Sequence, residues 1–312
     1  MRPRIAITLG DPRGIGPEIV EKALRLPEVA GSAEFLLVGP EGTGVPGALH
    51  PVGAWDPATG EAGAGRVAGE AIRAAVDLAI RGEVDALVTA PIDKHAFRLG
   101  GWDFPGHTEM LRELAGVPAV GMMMAAERTR SGGGLRIVLA TTHLPLRDVP
   151  GVLTPQLLVE QSLLTEAALR DWWGLRAPTL ALCAFNPHAS DGGLFGDEEE
   201  RIYGPALEEL RARGVDAAGP VPADTVFGRA LRGEFDAVIA PYHDVGMAAF
   251  KTVAFGSGVN VTLGLPFPRT SPDHGTALDI AGLGRADPGS MVEAIRLAAR
   301  LAGRFDSPAG AR

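Results

Sequence analysis

Three histidines, His143, His188 and His243, each follow an apolar run, in the contexts TTHLPL, NPHASDGG and PYHDVGM. A lone histidine after a strand is most simply a hydrogen-bonded loop residue. Three in equivalent places point to convergence on a divalent cation, because neutral imidazole suits zinc, cobalt, nickel or iron. Three protein ligands would leave coordination positions open for substrate oxygens, the arrangement of a catalytic metal site. Their spacing is far too long for a local motif such as HExxH, so the fold itself would have to gather them.

A second set of residues could hold an anion. His107 and Thr108, in PGHTEM, open a predicted helix. Thr108 is either an N-cap or, with His107, part of a helix start that takes a carboxylate or phosphate. Lys251, Asn260 and Arg269 lie late in the chain, with Arg269 in PFPRTSPDHG. Arginine and lysine beside a Ser/Thr-rich turn can neutralise a phosphate, although a lone arginine is more simply a surface residue. Composition adds a pointer. The chain has only two Asn (Asn186, Asn260) and three Lys (Lys22, Lys94, Lys251), and both Asn and two of the Lys fall inside short motifs. A lysine kept where arginine serves almost everywhere else marks a place for a compact ammonium. Asp191, Asp197 and Glu198 to Glu200 read as loop acids and a negatively charged first helical turn.

GDPRGIGPE, Gly10 to Glu18, follows the first strand but lacks the third glycine and the spacing of G-x-G-x-x-G. It is not a Rossmann fingerprint. Two readings stay open: a turn leading into a helix with Pro17 at its first position, or backbone N–H groups facing a ligand.

The elements that must position these residues alternate along the chain. Apolar runs at 4–10, 34–39, 85–91, 119–125, 135–142, 179–185, 235–241 and 259–264 read as strands. Helical patterns lie near 17–26, 66–81, 107–115, 154–171, 198–213, 224–231 and 290–302. Continuous apolar strands separated by helices predict a largely parallel sheet buried on both faces, and therefore the α/β class. Five motifs sit directly after strands, where such folds place ligands. Segments 41–65 and 129–134 read as Gly-rich connectors, and the tail after Arg304 is expected to fray.

The 312 residues carry a net charge of -9, which argues against nucleic acid or an anionic membrane as partner. The single cysteine, Cys183, sits in the run TLALCAF and reads as a small hydrophobe. No apolar run approaches the roughly 20 residues of a membrane span, and MRPRIAITLGD reaches a strand pattern too quickly for a signal peptide. A cytoplasmic protein is expected.

Taken in order, GDPRGIGPE, TAPIDKH, GHTEML, HLPL, NPHASDGG with GDEE, GPVPADTVF, PYHDVGM, VNVTLGLPF and RTSPDHGTALDIAG resemble the 4-hydroxythreonine-4-phosphate dehydrogenase (PdxA) family of pyridoxal-phosphate biosynthesis. The resemblance covers nearly the whole chain. GDPRGIGPE and HGTALDIAG are also similar to segments of isocitrate and isopropylmalate dehydrogenases. The resemblance implies two α/β/α domains with the site in the cleft, one built from 1–105 plus 268–312 and one from 106–267. It implies a homodimer sharing its sites across the interface. His143, His188 and His243 become ligands of zinc, magnesium or cobalt, one of them from the neighbouring subunit. His107, Thr108, Lys251, Asn260 and Arg269 become substrate contacts. Asp244 and Lys251, each near a proposed metal ligand or substrate contact in the sequence, are candidates for proton transfer. His274, Gly275, Asp279 and Ile280 become the adenosine side of an NAD site, Asp279 disfavouring the 2′-phosphate of NADP.

The implied reaction oxidises 4-phosphohydroxy-L-threonine at C3 to a β-keto acid that loses CO2, giving 3-amino-2-oxopropyl phosphate. Two departures from the family's usual pattern, Val245 in YHDVG and Ala189-Ser190-Asp191 in NPHASDGG, bear on substrate preference. The alternatives are a dehydrogenase of threonate or erythronate 4-phosphate, and a metal-dependent hydrolase or lyase without nicotinamide.

Overall fold

The computed structural model describes residues 2–303, so the tail after Arg304 lies outside the described residues. The strands among them are β1 (Arg4–Thr8), β2 (Glu34–Glu41), β3 (Ala48–Ala54), β4 (Ala86–Thr89), β5 (Gly121–Ala126), β6 (Leu135–Leu139), β7 (Thr179–Cys183), β8 (Asp216–Val221), β9 (Ala237–Ala240), β10 (Val259–Leu263) and β11 (Arg269–Pro272). They belong to two compact units. The first comprises the described residues up to Pro118 and from Val259 onward, and the second comprises Ala119–Gly258.

The first unit has strand order β3-β2-β1-β4-β11-β10, parallel throughout except that β10 runs antiparallel to β11. Helix Gly60–Ile80 packs on β1, β2 and β4, and helix Gly289–Ala302 packs on β4, β10 and β11. Because helices cover the sheet, Ile5, Ala6 and Ile7 of β1 and Leu87 and Val88 of β4 are all fully buried, successive residues included. The second unit has order β5-β6-β9-β7-β8, parallel except for the antiparallel β5–β6 pair. Its core joins Ile137 and Leu139 of β6, Val238 of β9 and Cys183 of β7 to Val226 and Phe250 from the covering helices.

The α/β class holds, and the eight apolar runs all contain strands. Three strands escape the pattern. β3 and β8 are exposed end strands carrying Pro51 and Pro220, so they show no apolar run, and proline is tolerated on such edges. β11 is buried but reads RTSP. The domain division also differs from the one expected at 105/106 and 267/268. Helix His107–Ala115 packs on helix Gly60–Ile80, and β10 pairs with β11, so both belong with the terminal segments.

Candidate metal and anion sites

His143 and His243 are brought together by strand register. β6 and β9 pair in parallel with Leu139 opposite Ala240, and the pairing continues through Ala140 N–H to Ala240 O and Thr141 N–H to Pro241 O. Both histidines therefore leave the same strand ends within a few residues, and their ring centroids stand 5.5 Å apart. His243 is the first residue of helix His243–Ala254. That helix starts close against the sheet because Gly246 faces Leu139; a Cβ at 246 would lie 2.6 Å from the Leu139 Cδ2. Asp244 Oδ1 lies 2.7 Å from His243 Nδ1. With Nδ1 donating to that carboxylate, the lone pair of Nε2 is left for a cation, the carboxylate–histidine arrangement of many metal sites. The two rings, Tyr242 and Asp244 border a pocket of about 110 Å³. The ring separation is compatible with both imidazoles facing one cation at metal–nitrogen distances of about 2.1 Å.

His188 is not part of this pair. Among the described residues no group of three or more His, Cys, Asp or Glu side chains is arranged to hold a metal. His188 leaves β7, the other neighbour of β9, and is exposed, with its ring 6.4 Å from that of Phe195. Its loop is fastened by Glu199, which in the sequence reads as part of an acidic first helical turn. Glu199 is buried and accepts hydrogen bonds from Phe185 N–H, Asn186 N–H, Asn186 Nδ2 and the Ser190 hydroxyl. Burial pushes its pKa up, but those hydrogen bonds outweigh burial and hold it below the usual carboxylate range. Cys183 beneath is inert: burial, and then the Glu199 charge, push its thiol up to about 12.

Of the anion candidates, Arg269 and His107 come near each other in the first unit. Arg269, at the start of β11, is 2% exposed and donates to the Thr89 hydroxyl of β4 and, from Nη1, to the Thr262 hydroxyl of β10 at 2.9 Å. Among the described residues no carboxylate lies within ion-pair distance of it, and burial lowers its pKa to about 9. His107 opens helix His107–Ala115 with its Nε2 shut off from solvent and, among the described residues, without a hydrogen-bond partner. Its pKa lies well below the ordinary imidazole value, first through burial, then through the positive charges of Arg269 and Lys94. Lys94, the first residue of helix Lys94–Leu99, is thus near this site although the sequence reading gave it no role. Thr108 follows His107 in its helix, and Asn260 stands opposite Ser271 in the β10–β11 pair. Lys251 lies in the second unit, in the last turn of helix His243–Ala254, its Nζ 5.7 Å from the centre of the Phe255 ring.

The neutral state of His107 makes a testable contribution to stability. In the unfolded chain His107 titrates near 6.5, whereas in the folded protein it takes a proton only well below that value. The unfolded state therefore protonates first, so this contribution is complete above pH 6.5 and is lost as the pH falls below it. Melting temperatures from pH 7 to 5 should fall less steeply in His107→Gln than in the wild type. Equal slopes would remove His107 as the cause.

The structure decides how GDPRGIGPE is used. Gly14 N–H bonds to Asp11 O, Ile15 N–H bonds to Thr276 O, and Asp11 accepts from the backbone and guanidinium of Arg13. These amides serve the turn itself and the loop that holds His274, Gly275, Asp279 and Ile280. Gly14 is pressed to that loop, a Cβ there lying 2.9 Å from Thr276 O. Lys22 Nζ clamps the far end of the same loop by donating to Gly284 O and Ala286 O, while Glu18 accepts from Ala286 N–H. The ammonium of Lys22 first, and that amide too, outweigh burial and keep the Glu18 carboxyl low. His274, Gly275 and Asp279 are exposed on the loop and Ile280 is half-buried.

Residues 29–298 match the family described as pyridoxal phosphate biosynthetic protein PdxA. The chain belongs to the PdxA family. It is 43% identical over 334 residues to a 4-hydroxythreonine-4-phosphate dehydrogenase of Chromobacterium violaceum, covering 97% of this chain and 98% of the relative. The crystal structure of the Klebsiella pneumoniae 4-hydroxythreonine-4-phosphate dehydrogenase superposes with a TM-score of 0.88 at 37% identity, over 97% of this chain and 98% of that one. A β-decarboxylating dehydrogenase from Thermococcus kodakarensis shares the fold, with a TM-score of 0.54 at 16% identity over 95% of this chain and 81% of that one. PdxA membership and the dehydrogenase-like α/β fold agree with the resemblance carried by the motifs. Among the described residues no helix is long and apolar enough to cross a membrane.

Proposed function

We propose that this chain is a cytoplasmic, NAD-dependent 4-hydroxythreonine-4-phosphate dehydrogenase requiring a divalent cation, which oxidises 4-phosphohydroxy-L-threonine at C3 and releases CO2 in pyridoxal-phosphate biosynthesis. The observation that carries this reading is the full-length match to 4-hydroxythreonine-4-phosphate dehydrogenases. The chemistry of the two sites supports it. His143 and His243 would hold the cation, with His188 of the neighbouring protomer as third ligand. A homodimer is favoured because Leu144, Leu146, Leu194 and Phe195 are exposed beside these histidines. When bound, the cation lowers the pKa of the substrate alcohol and the nicotinamide accepts the hydride.

The chain's own residues supply orientation and charge. Arg269 and Lys94 take the anionic groups of the substrate, Arg269 because it is a buried cation facing only neutral hydroxyl partners. His107, kept neutral, offers Nε2 to a polar group rather than adding a third charge. Thr108 and Asn260 complete the polar surround. Asp244 keeps the Nδ1 proton on His243, which leaves Lys251 Nζ as our candidate to deliver a proton after CO2 departs. His274, Gly275, Asp279 and Ile280 receive the adenosine half of NAD, and the exposed carboxylate of Asp279 disfavours NADP.

The test is absorbance of reduced nicotinamide when the protein receives NAD, a divalent cation and 4-phosphohydroxy-L-threonine. Signal abolished by chelator is the expected result. Signal only with threonate or erythronate 4-phosphate would move the substrate and keep the mechanism. Silence with all three would overturn the dehydrogenase reading in favour of a metal-dependent hydrolase or lyase.

A further inference from the structure

The loop that carries His188 is held in a conformation its residues avoid. His188, Ala189, Ser190 and Asp191 are four successive non-glycine residues with φ of 52°, 53°, 68° and 45°. Single L-residues enter the left-handed region only at a cost, and runs of them persist only where the surroundings over-determine them. Backbone bonds from Ala189 N–H to Asn186 O and from Gly193 and Phe195 N–H to Ser190 O shape the turn, and the side-chain ties to it converge on Glu199. Glu199 Oε1 accepts from Phe185 N–H at 2.9 Å and Asn186 N–H at 2.7 Å, the residues leaving β7. Its Oε2 accepts from Asn186 Nδ2 at 2.9 Å and from the Ser190 hydroxyl. One buried carboxylate therefore grips the loop both before His188 and after it. Asn186 is braced a second time, its Nδ2 lying 2.6 Å from Glu198 Oε2.

We infer that Glu199 is a positioning residue for the metal site: with Ser190 as its latch, it holds the His188 loop in the left-handed form and so aims the His188 imidazole. Glu199 makes none of its hydrogen bonds to His188 itself and acts through the two loop ends. The inference rests on the reading of His188 as a metal ligand. It goes beyond that reading by assigning the ligand's orientation to a residue outside the ligand set. Ser190 gives the latch a signature. At φ 68° alanine keeps the backbone cost and loses the hydroxyl, whereas glycine loses the hydroxyl and adopts that φ freely.

The experiment is calorimetric titration of Co2+ alone into metal-stripped full-length protein, with melting temperatures of the same samples. Glu199→Gln keeps one oxygen for the backbone amides but turns an NH2 group toward donors. It should lose about 10- to 100-fold in Co2+ affinity, the usual effect of removing support behind a ligand. Ser190→Ala should lose more than Ser190→Gly. Turnover lost in Glu199→Gln should return as Co2+ is raised, with KM for the phosphorylated substrate unchanged at saturating metal, whereas His188→Ala stays inactive. Wild-type Co2+ affinity in Glu199→Gln with a lowered melting temperature would make Glu199 merely structural and overturn the inference. Should Glu199→Gln fail to fold, equal affinities in wild type, Ser190→Gly and Ser190→Ala would overturn it instead. Wild-type affinity in His188→Ala would instead overturn the metal-ligand reading on which it rests.

Discussion

Replacing His243 by alanine should lower kcat/KM by about 10³-fold, some 4 kcal/mol of transition-state stabilisation, in line with the several kilocalories a Lewis acid supplies to a developing alkoxide. The expectation follows from how His243 is built. Its ring stands 5.5 Å from that of His143, and Asp244 Oδ1, 2.7 Å from Nδ1, favours the proton on that nitrogen. Removing the ring leaves one imidazole of the pair. Because the His243 side chain is about one-third exposed and sits at a helix start, the melting temperature of the metal-free protein should barely change. Asp244→Asn provides the graded companion. It keeps the ring but weakens its orientation, so a 10- to 100-fold loss recoverable by added Co2+ is expected. Calorimetric Co2+ titration and initial-rate measurements on both variants check this. Full chelator-resistant activity in His243→Ala would eliminate the metal role of this pair.

The sequence exposed what depends on hydrophobic continuity and hid what depends on pairing between distant polar residues. β1, β4, β6, β7 and β9 are apolar because they are buried on both faces, and each lies within a continuous apolar run of the sequence. Helix Gly60–Ile80 was expected to start at 66, since glycines weaken helix propensity. Tertiary contact overrides this: Gly65 lies against the Ala96 carbonyl, where a larger residue has no room. Helix His243–Ala254 is absent from the helical patterns of the sequence, and its Gly246, unfavourable by helix propensity, is what lets the helix meet β6. In the site, motif placement after strands found His143 and His243, whose proximity comes from parallel register. It could not find Glu199, which lies in an acidic run and differs from its neighbours only by being buried. Lys94 had a signal, its rarity as a lysine inside a motif, but nothing in the sequence tied it to His107 and Arg269.

Arg269→Met should raise KM for 4-phosphohydroxy-L-threonine by about 10²- to 10³-fold while leaving the melting temperature of the free protein equal or higher. The two halves of this expectation have one cause. A guanidinium taken out of water and answered only by the Thr89 and Thr262 hydroxyls costs the free protein stability, as its pKa of about 9 records. Methionine fills similar volume without that charge, and such replacements of buried ions are often neutral or stabilising. The bound anion is what would make the charge favourable: two charge-assisted hydrogen bonds at about 1.5–2 kcal/mol each account for the predicted loss of affinity. The sign with pH follows from the same depressed pKa. Burial weakens the hold of Arg269 on its proton in the free protein and a bound anion restores it, so loss of affinity for an anionic substrate at high pH should set in earlier than for an ordinary arginine. Arg269→Lys keeps a charge but cannot span both threonines, and should fall between wild type and Arg269→Met. Initial-rate kinetics at saturating metal and NAD separate KM from kcat, and thermal melts without substrate give the stability half. A lowered melting temperature with unchanged KM would make Arg269 a structural tie between β4, β11 and β10, with no part in holding the substrate.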